Sequence, residues 1–369
     1  MLYPVMPLFL QSIGFSSLLI GILEGVAEAT AGLSKGYFGR LSDSTGRRLP
    51  FVQLGYALSS IAKPMLAVFT HPLWIFGART TDKLGKGFRT AARDAILSDE
   101  STPENKGKVF GFHRAMDTLG AAIGPALALV FLIYYPGQYK LLFLITFAPA
   151  LLSVLLTFSI KEKKLLVPAH KTSFKISQIF NYLKTANRNY KVIASILLLF
   201  AVFNSSDVFL LLKIKQSGLS DSYVIGIYII YNLIYALASF PLGQLADKFG
   251  LKNTMVAGFA IFVIVYLGFG LNASLVGFAV FYVLYGLYMA ATEGVSKALL
   301  SNLVPKSETA SAIGTYAGLS SLAALVSSTT AGLIWKYVSP EAVFIFSAVG
   351  AAIATVMLLS VKLNKEAGS

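Results

Sequence analysis

The chain has no cysteine and only three histidines among its 369 residues. The first absence excludes disulfides and thiol chemistry, and it leaves the compartment open. The histidines, His71, His113 and His170, are scattered, so no metal-ligand or catalytic constellation is expected. Gly85-Lys86-Gly87 lacks the spacing and the strand-to-helix setting of a phosphate-binding loop, so ATP is not expected to power anything within this chain. Charge is scarce as well, at 13% of residues against 56% hydrophobic, with a mean hydropathy of +0.69. That is too apolar for an ordinary water-soluble protein. Acids are the scarcer sign, 17 against 31 Lys and Arg, for a formal charge of +14. Such an excess suits a nucleic-acid binder, but here the bases cluster in the gaps between apolar runs. That is the footprint of cytoplasmic membrane loops, and no nucleic-acid partner is expected.

What the chain does have is apolar length. Runs near 17–38, 50–69, 73–95, 108–133, 139–160, 191–212, 222–242, 254–271, 275–297, 310–334 and 341–362 approach the roughly 20 residues that cross a hydrocarbon core of about 30 Å. The opening run, Met1 to Gln11, is too short for a full crossing at about 1.5 Å per residue, and is read as the remaining half of a first helix. The expectation is an all-α integral membrane protein of twelve transmembrane helices, the first incomplete, in two pseudo-symmetric six-helix bundles. Alternate gaps hold the bases: Arg40, Arg47 and Arg48, then Lys106 and Lys108, then a run from Lys161 to Lys191, then Lys248 and Lys252, Lys306, and Lys362 and Lys365. By the positive-inside rule those gaps and both termini face the cytoplasm, in a plasma (inner) membrane of bacterial type. The gap 161–190 separates an N-terminal lobe, 1–160, from a C-terminal lobe, 191–369. Within it Phe174, Ile176, Ile179, Phe180 and Leu183 recur at helical spacing among lysines, which suits either an amphipathic helix on the inner leaflet or a solvated linker.

The polar gap Gly39-Arg40-Leu41-Ser42-Asp43-Ser44-Thr45-Gly46-Arg47-Arg48 occurs twice. Gly243-Gln244-Leu245-Ala246-Asp247-Lys248-Phe249-Gly250-Leu251-Lys252 repeats its order of Gly, Leu, small residue, Asp, Gly and base. Asp94–Ser98 likewise matches Lys297–Ser301, and Val109-Phe110-Gly111 matches Ala312-Ile313-Gly314. The halves are copies running in the same sense, a parallel repeat that places a site between them. On these loops, and on Gly120-Ala121-Ala122-Ile123-Gly124-Pro125 in the fifth run, the chain resembles the major facilitator superfamily over essentially its whole length. The resemblance implies two lobes rocking about a midplane cavity. It implies a conformational latch made of Gly39, Asp43, Gly46, Arg47 and Arg89 with Gly243, Asp247 and Gly250. It also implies a link between Gly120, Gly124 and Pro125 and proton-coupled export, although Gly-x-x-x-Gly serves plain helix packing too. The second loop departs from the pattern, because Gly250 is followed by Leu251 rather than a base.

The fourth helix is anomalous: Arg79, Asp82, Lys83, Lys86, Arg89 and Arg93 fall three or four apart along one face. Each charge facing lipid costs about 3 kcal/mol or more, so that face looks into protein or a wet cavity. His113, Arg114 and Asp117 join from the fifth helix, Glu24 and Glu28 from the second, and Lys63 from the third. In the sister half Arg79, Asp82, Arg89, Arg114 and Asp117 are replaced by Tyr282, Tyr285, Thr292, Ala317 and Ser320, so the fold does not require those charges. Arg79 and Asp82 are the cavity candidates. Lys86, Arg93 and Asp94 are read as structural. Glu24 and Glu28 are the proton-carrying candidates, with permanent pairing to Lys63 or the fourth helix as the alternative. The second half offers Asn204 and Asp207, then Glu293 with Lys297. Its tyrosines, Tyr231 and Tyr285 among them, form either a packing belt or an aromatic cavity wall.

The sequence therefore predicts a secondary transporter of a small organic solute and not an enzyme. It needs no cofactor, is energised by a proton gradient, is embedded in a lipid bilayer and works as a monomer. Proton-coupled efflux is the first expectation. The alternative is import or exchange of an anionic metabolite with Arg79 and Arg114 as counter-charges. A non-transporting receptor or scaffold is the reading of another class.

Overall fold

The computed structural model describes residues 5–15, 17–162, 182–216, 221–271 and 275–361. The amphipathic stretch expected around Phe174 to Leu183 falls largely outside them. Among the described residues there are thirteen α-helices: α1 (Val5–Ser12), α2 (Ser17–Thr45), α3 (Leu49–Val68), α4 (Pro72–Asp99), α5 (Lys106–Tyr134), α6 (Tyr139–Thr157), α7 (Arg188–Phe203), α8 (Val208–Gln216), α9 (Asp221–Phe249), α10 (Leu251–Leu271), α11 (Leu275–Asn302), α12 (Thr309–Tyr337) and α13 (Pro340–Ser360). Eight are long and apolar enough to cross a membrane by length and composition alone. α4 is not among them, because its charged stripe dilutes its apolar content. Outward faces of α5 and α6 leave Leu127, Val130, Ile133, Leu152, Leu155 and Leu156 exposed, an apolar belt of the kind lipid covers.

Local chemistry sets the helix ends. Pro72 and Pro340 stand in the first turns of α4 and α13, where a missing N–H costs nothing. The Asn187 side chain accepts from the Tyr190 amide at 2.8 Å to cap α7, and Ser339 accepts from Ala342 at 3.1 Å to cap α13. α2 and α9 each end at a glycine with positive φ, Gly46 at 63° and Gly250 at 97°. This left-handed stop strains any residue with a Cβ.

The seventh crossing departs from expectation. The apolar run 191–212 reads as one helix, but the chain leaves helical geometry at Asn204–Asp207 and resumes as α8. Direction is kept across the break, since Phe203 packs on Phe346 (ring centroids 5.1 Å apart) and Lys213 pairs with Glu341, each later residue meeting an earlier one on α13. Asn, Ser and Asp side chains compete for backbone groups and favour such interruptions.

The chain clusters into two compact units. The first comprises Met1–Glu100, Gly120–Thr185 and Pro305–Ser321, and the second Ser101–Leu119, Ala186–Val304 and Leu322–Ser369. In the first, α4 packs on α2 and α3, and α3 packs on α6, around a core that includes Met6, Phe9, Leu10, Leu23, Leu66 and Phe143. In the second, α10 packs on α11 and α13, and α9 packs on α11. Its core is aromatic: the rings of Phe200 and Phe259 stack at 3.8 Å and those of Phe262 and Tyr266 at 3.9 Å. The helices α5 and α12 each contribute one part to each unit.

Candidate functional site

The charged face of α4 lines a cavity of about 550 Å³ inside the first unit. Among the described residues its walls include Lys63, Arg79, Lys83, Lys86 and Arg89, with Asp82 as the sole acid, and Gly120, Thr146 and Ser153 from α5 and α6. Asp82 is braced by Lys63 at 3.2 Å and Arg79 at 3.8 Å, and Lys63 also donates to the Ser59 carbonyl at 2.6 Å. Lys63, for which a second-helix glutamate or an interface was expected, thus meets Asp82. Arg89, expected in the latch, donates to Ser59 Oγ at 2.6 Å and lies over the Tyr56 ring at 4.7 Å, tying α4 to α3. Arg93 pairs with its neighbour Asp94 at 3.0 Å, and Asp94 is fully buried, which agrees with a structural role.

The two signature loops grip in the same way. Asp43 accepts from the amide and hydroxyl of Ser311, at 2.7 and 2.9 Å, in the first turn of α12. Asp247 accepts from the amides of Gly107 and Lys108, both at 2.6 Å, in the first turn of α5. Each carboxylate thereby meets the positive end of a helix. A Cβ on Gly39 would overlap the Ala310 carbonyl, and one on Gly243 would overlap the Gly107 carbonyl. The spacing recurs on the partner helices, where Gly314 abuts the Lys35 carbonyl and Gly111 abuts the Ser239 carbonyl. This is why glycine stands at both copies.

The base beside Asp43 is Arg48 and not Arg47, which is exposed. Arg48 is 1% exposed and bridges Asp43 at 2.9 Å, Asp99 and the Lys306 carbonyl. Glu162 caps the start of α3 by accepting from the amides of Arg48 and Leu49. Asp43 lies in the polar gap beyond the apolar run of α2. Burial raises its carboxyl to about 6, against the opposing pull of Arg48 and the Ser311 donors. In the second copy Lys252, the counterpart of Arg48, instead donates to the Leu359 and Val361 carbonyls at the end of α13. The departure at Leu251 is therefore at the position of Arg47, not at that of Arg48, which makes the contacts in the first loop.

The second unit holds most of the remaining candidates. Arg114 donates to the Tyr235 hydroxyl and pairs with Asp117 at 3.2 Å and Glu293 at 3.6 Å. Glu293, expected beside Lys297, thus meets Arg114. Asp207 accepts from the Tyr285 hydroxyl at 2.6 Å, and Asn204 donates to the Tyr288 hydroxyl at 3.1 Å. Tyr231, Tyr282, Tyr285 and Tyr288 are all buried and pack ring against ring. His113 lies part-buried on α5. Glu24 and Glu28 stand on α2, and their side chains lie outside the described residues. Sequence reasoning missed Asp99, Glu162 and Ser311. Ser311 alone had a signal, since the repeat pairs it with Lys108 at the start of α5.

A duplicated helical bundle with charged faces turned inward defines a multi-pass membrane transporter. The chain belongs to the Major Facilitator Superfamily, whose family model matches residues 1–230 and 208–368. It is 33% identical over 97% of its length to an MFS-type transporter of Methanocaldococcus jannaschii, covering 90% of that protein. It is 24% identical over 93% of its length to a multi-drug resistance efflux pump PmrA homolog of Lactococcus lactis, covering 85% of it. Among solved structures, the human organic anion transporter MFSD10 superposes with a TM-score of 0.77 at 16% identity, over 95% of this chain and 88% of that one. FucP in its outward conformation superposes at 0.74 and 13% identity, over 97% and 93%. The twelve-helix fold and the reading as a transporter rather than an enzyme follow from these relationships.

Proposed function

We propose that this protein is a secondary active exporter that moves a small organic anion by alternating access. The observation that carries the reading is the cavity of the first unit, where five bases stand against one acid among the described residues. A space with that balance favours a negative solute over a positive one. The sister half carries Tyr282 and Thr292 in place of Arg79 and Arg89, so those bases serve something other than the fold. Export is supported by likeness to a protein named as an efflux pump, and an anionic cargo by likeness to one named as an organic anion transporter. The energy source is an ion gradient, with the proton as the expected ion, and the chain acts alone with both termini in the cytoplasm. The Asp43 and Asp247 clasps would open and close during the cycle.

Purified protein in liposomes, offered a panel of labelled organic carboxylates, phosphate esters and cationic dyes under an imposed proton gradient, tests the proposal. Anion flux should exceed cation flux. Arg79→Gln should cut anion flux at least tenfold without loss of folded protein, because Lys63 still braces Asp82. Flux of cations alone, or an unaffected Arg79→Gln variant, rejects the anion assignment. No flux of any solute favours a receptor or scaffold.

A second reading keeps export and replaces the anion with an amphiphile. It is favoured by Gly120, the first residue of the Gly120–Pro125 segment, standing in the cavity wall.

A further inference from the structure

Among the described residues, three acids of the apolar crossings have basic partners. Asp82 has Lys63 and Arg79, while Asp117 and Glu293 share Arg114. Asp207 has no base within ion-pair distance among the described residues. Its hydrogen-bond partner is the Tyr285 hydroxyl. A part-buried carboxylate without a counter-charge is costly.

The surroundings favour a cation. Asp207 closes the break between α7 and α8, where the backbone leaves the helix after the Asn204 amide bonds the Phe200 carbonyl at 2.9 Å. Asn204, at the start of the break, spends its amide on Tyr288 and leaves its carboxamide oxygen buried with no hydrogen-bond partner. The Tyr282 hydroxyl, in a side chain 2% exposed, is likewise buried without a partner. Ser205 engages Tyr266 at 3.3 Å through both its hydroxyl and its carbonyl. Tyr231, Tyr266, Tyr282 and Tyr285 all lie within electrostatic reach of the Asp207 carboxylate. The donor set is oxygen throughout, with one negative charge, and it sits at an interrupted membrane helix. Such breaks hold monatomic cations between freed backbone and side-chain oxygens.

We infer that the interruption between α7 and α8 binds a monovalent alkali cation of sodium size, held by the Asp207 carboxylate and the Asn204 carboxamide oxygen among tyrosine hydroxyls. A proton satisfies Asp207 but not the orphaned Asn204 oxygen, which needs a donor or a cation. An organic ammonium is too large for rings packed at centroid distances of 5.3 Å. One carboxylate is too little charge for a divalent ion, whose sites gather several. The inference concerns binding alone and stands whether or not the anion proposal holds.

Trp335 is a built-in reporter. Its ring lies 5.6 Å from that of Phe209, two residues past Asp207, and the chain has one other tryptophan, Trp74. In a Trp74→Phe protein, sodium chloride is titrated against choline chloride at constant ionic strength, at pH 8 and pH 6, following Trp335 emission and the unfolding temperature. Sodium should change the emission saturably and raise the unfolding temperature with concentration, more weakly at pH 6 because protons compete for Asp207. Asp207→Asn should abolish both effects, and Asn204→Ala should weaken apparent affinity at least tenfold. A cooperative unfolding transition in choline chloride, at the temperature of the parent protein, certifies that either variant is folded. Equal responses to sodium and choline, a sodium response surviving Asp207→Asn, signals that follow pH alone, or no response in either readout overturn the inference.

Discussion

Replacing Arg48 by Ala should damage this protein more than any other single change at its signature loops. Arg48 is 1% exposed and joins Asp43, Asp99 and the Lys306 carbonyl. Truncating it strands two acids and a carbonyl at once. Removing one member of a buried pair costs about 3–5 kcal/mol. About 3 kcal/mol is already more than a hundredfold in an opening equilibrium. The site of that opening is the Asp43–Ser311 clasp, so amide exchange at Ser311 should accelerate by roughly that factor while α10 and α13 are unaffected. Arg47→Ala, at the exposed neighbour, should stay within about 0.5 kcal/mol of wild type. The clasp should also respond to pH. Burial raises the Asp43 carboxyl to about 6, above its value in an unfolded chain. This contribution to stability is therefore fully present below about pH 4 and lost as pH rises through about 6, worth about 3 kcal/mol across the window. Without Arg48 the carboxyl protonates more readily still, so the penalty of Arg48→Ala should be largest near pH 8 and shrink toward pH 5. Equal effects of the two arginine variants, or an Arg48→Ala penalty that grows as pH falls, would refute this reasoning.

Gly39→Ala and Gly243→Ala each drive a methyl group into a backbone carbonyl, Ala310 and Gly107 respectively. Each should lower stability by about 1–3 kcal/mol, read as a drop in detergent-solubilised unfolding temperature; unchanged temperatures would mean the helices are farther apart. Asp82→Asn removes the one acid that the described residues place in the cavity wall of the first unit. It should raise affinity for an organic anion while costing about 1–3 kcal/mol of stability through the unbraced Lys63 and Arg79, and calorimetric titration showing weaker anion binding would contradict the assigned polarity.

The fold was legible because its signals are long or doubled. Apolar runs of near-membrane length set the helices, and the repeated loop with its Asp and paired glycines set the relation of the halves. The charged stripe of α4 was legible too, since lipid forbids it an outward orientation. The break in the seventh crossing was hidden by the hydropathy of its flanks, although Asn204, Ser205, Ser206 and Asp207 spell a turn. Arg47 and Arg48 are equivalent as letters; which one turns inward depends on where α3 begins and on Glu162 capping it from far along the chain. The meeting of Glu293 with Arg114 was also out of reach. Its sequence neighbour Lys297 offered a local pairing, and nothing local competes with that until the helices are packed.

Neither compact unit is one unbroken stretch of chain, and this bears on how the protein is made. Translation delivers residues in order, yet the first unit includes 305–321, so Asp43 waits for Ser311 until most of the polypeptide has left the ribosome. Truncation products ending before that point carry an unfinished clasp, and quality-control proteases should clear them instead of letting them accumulate as half-transporters.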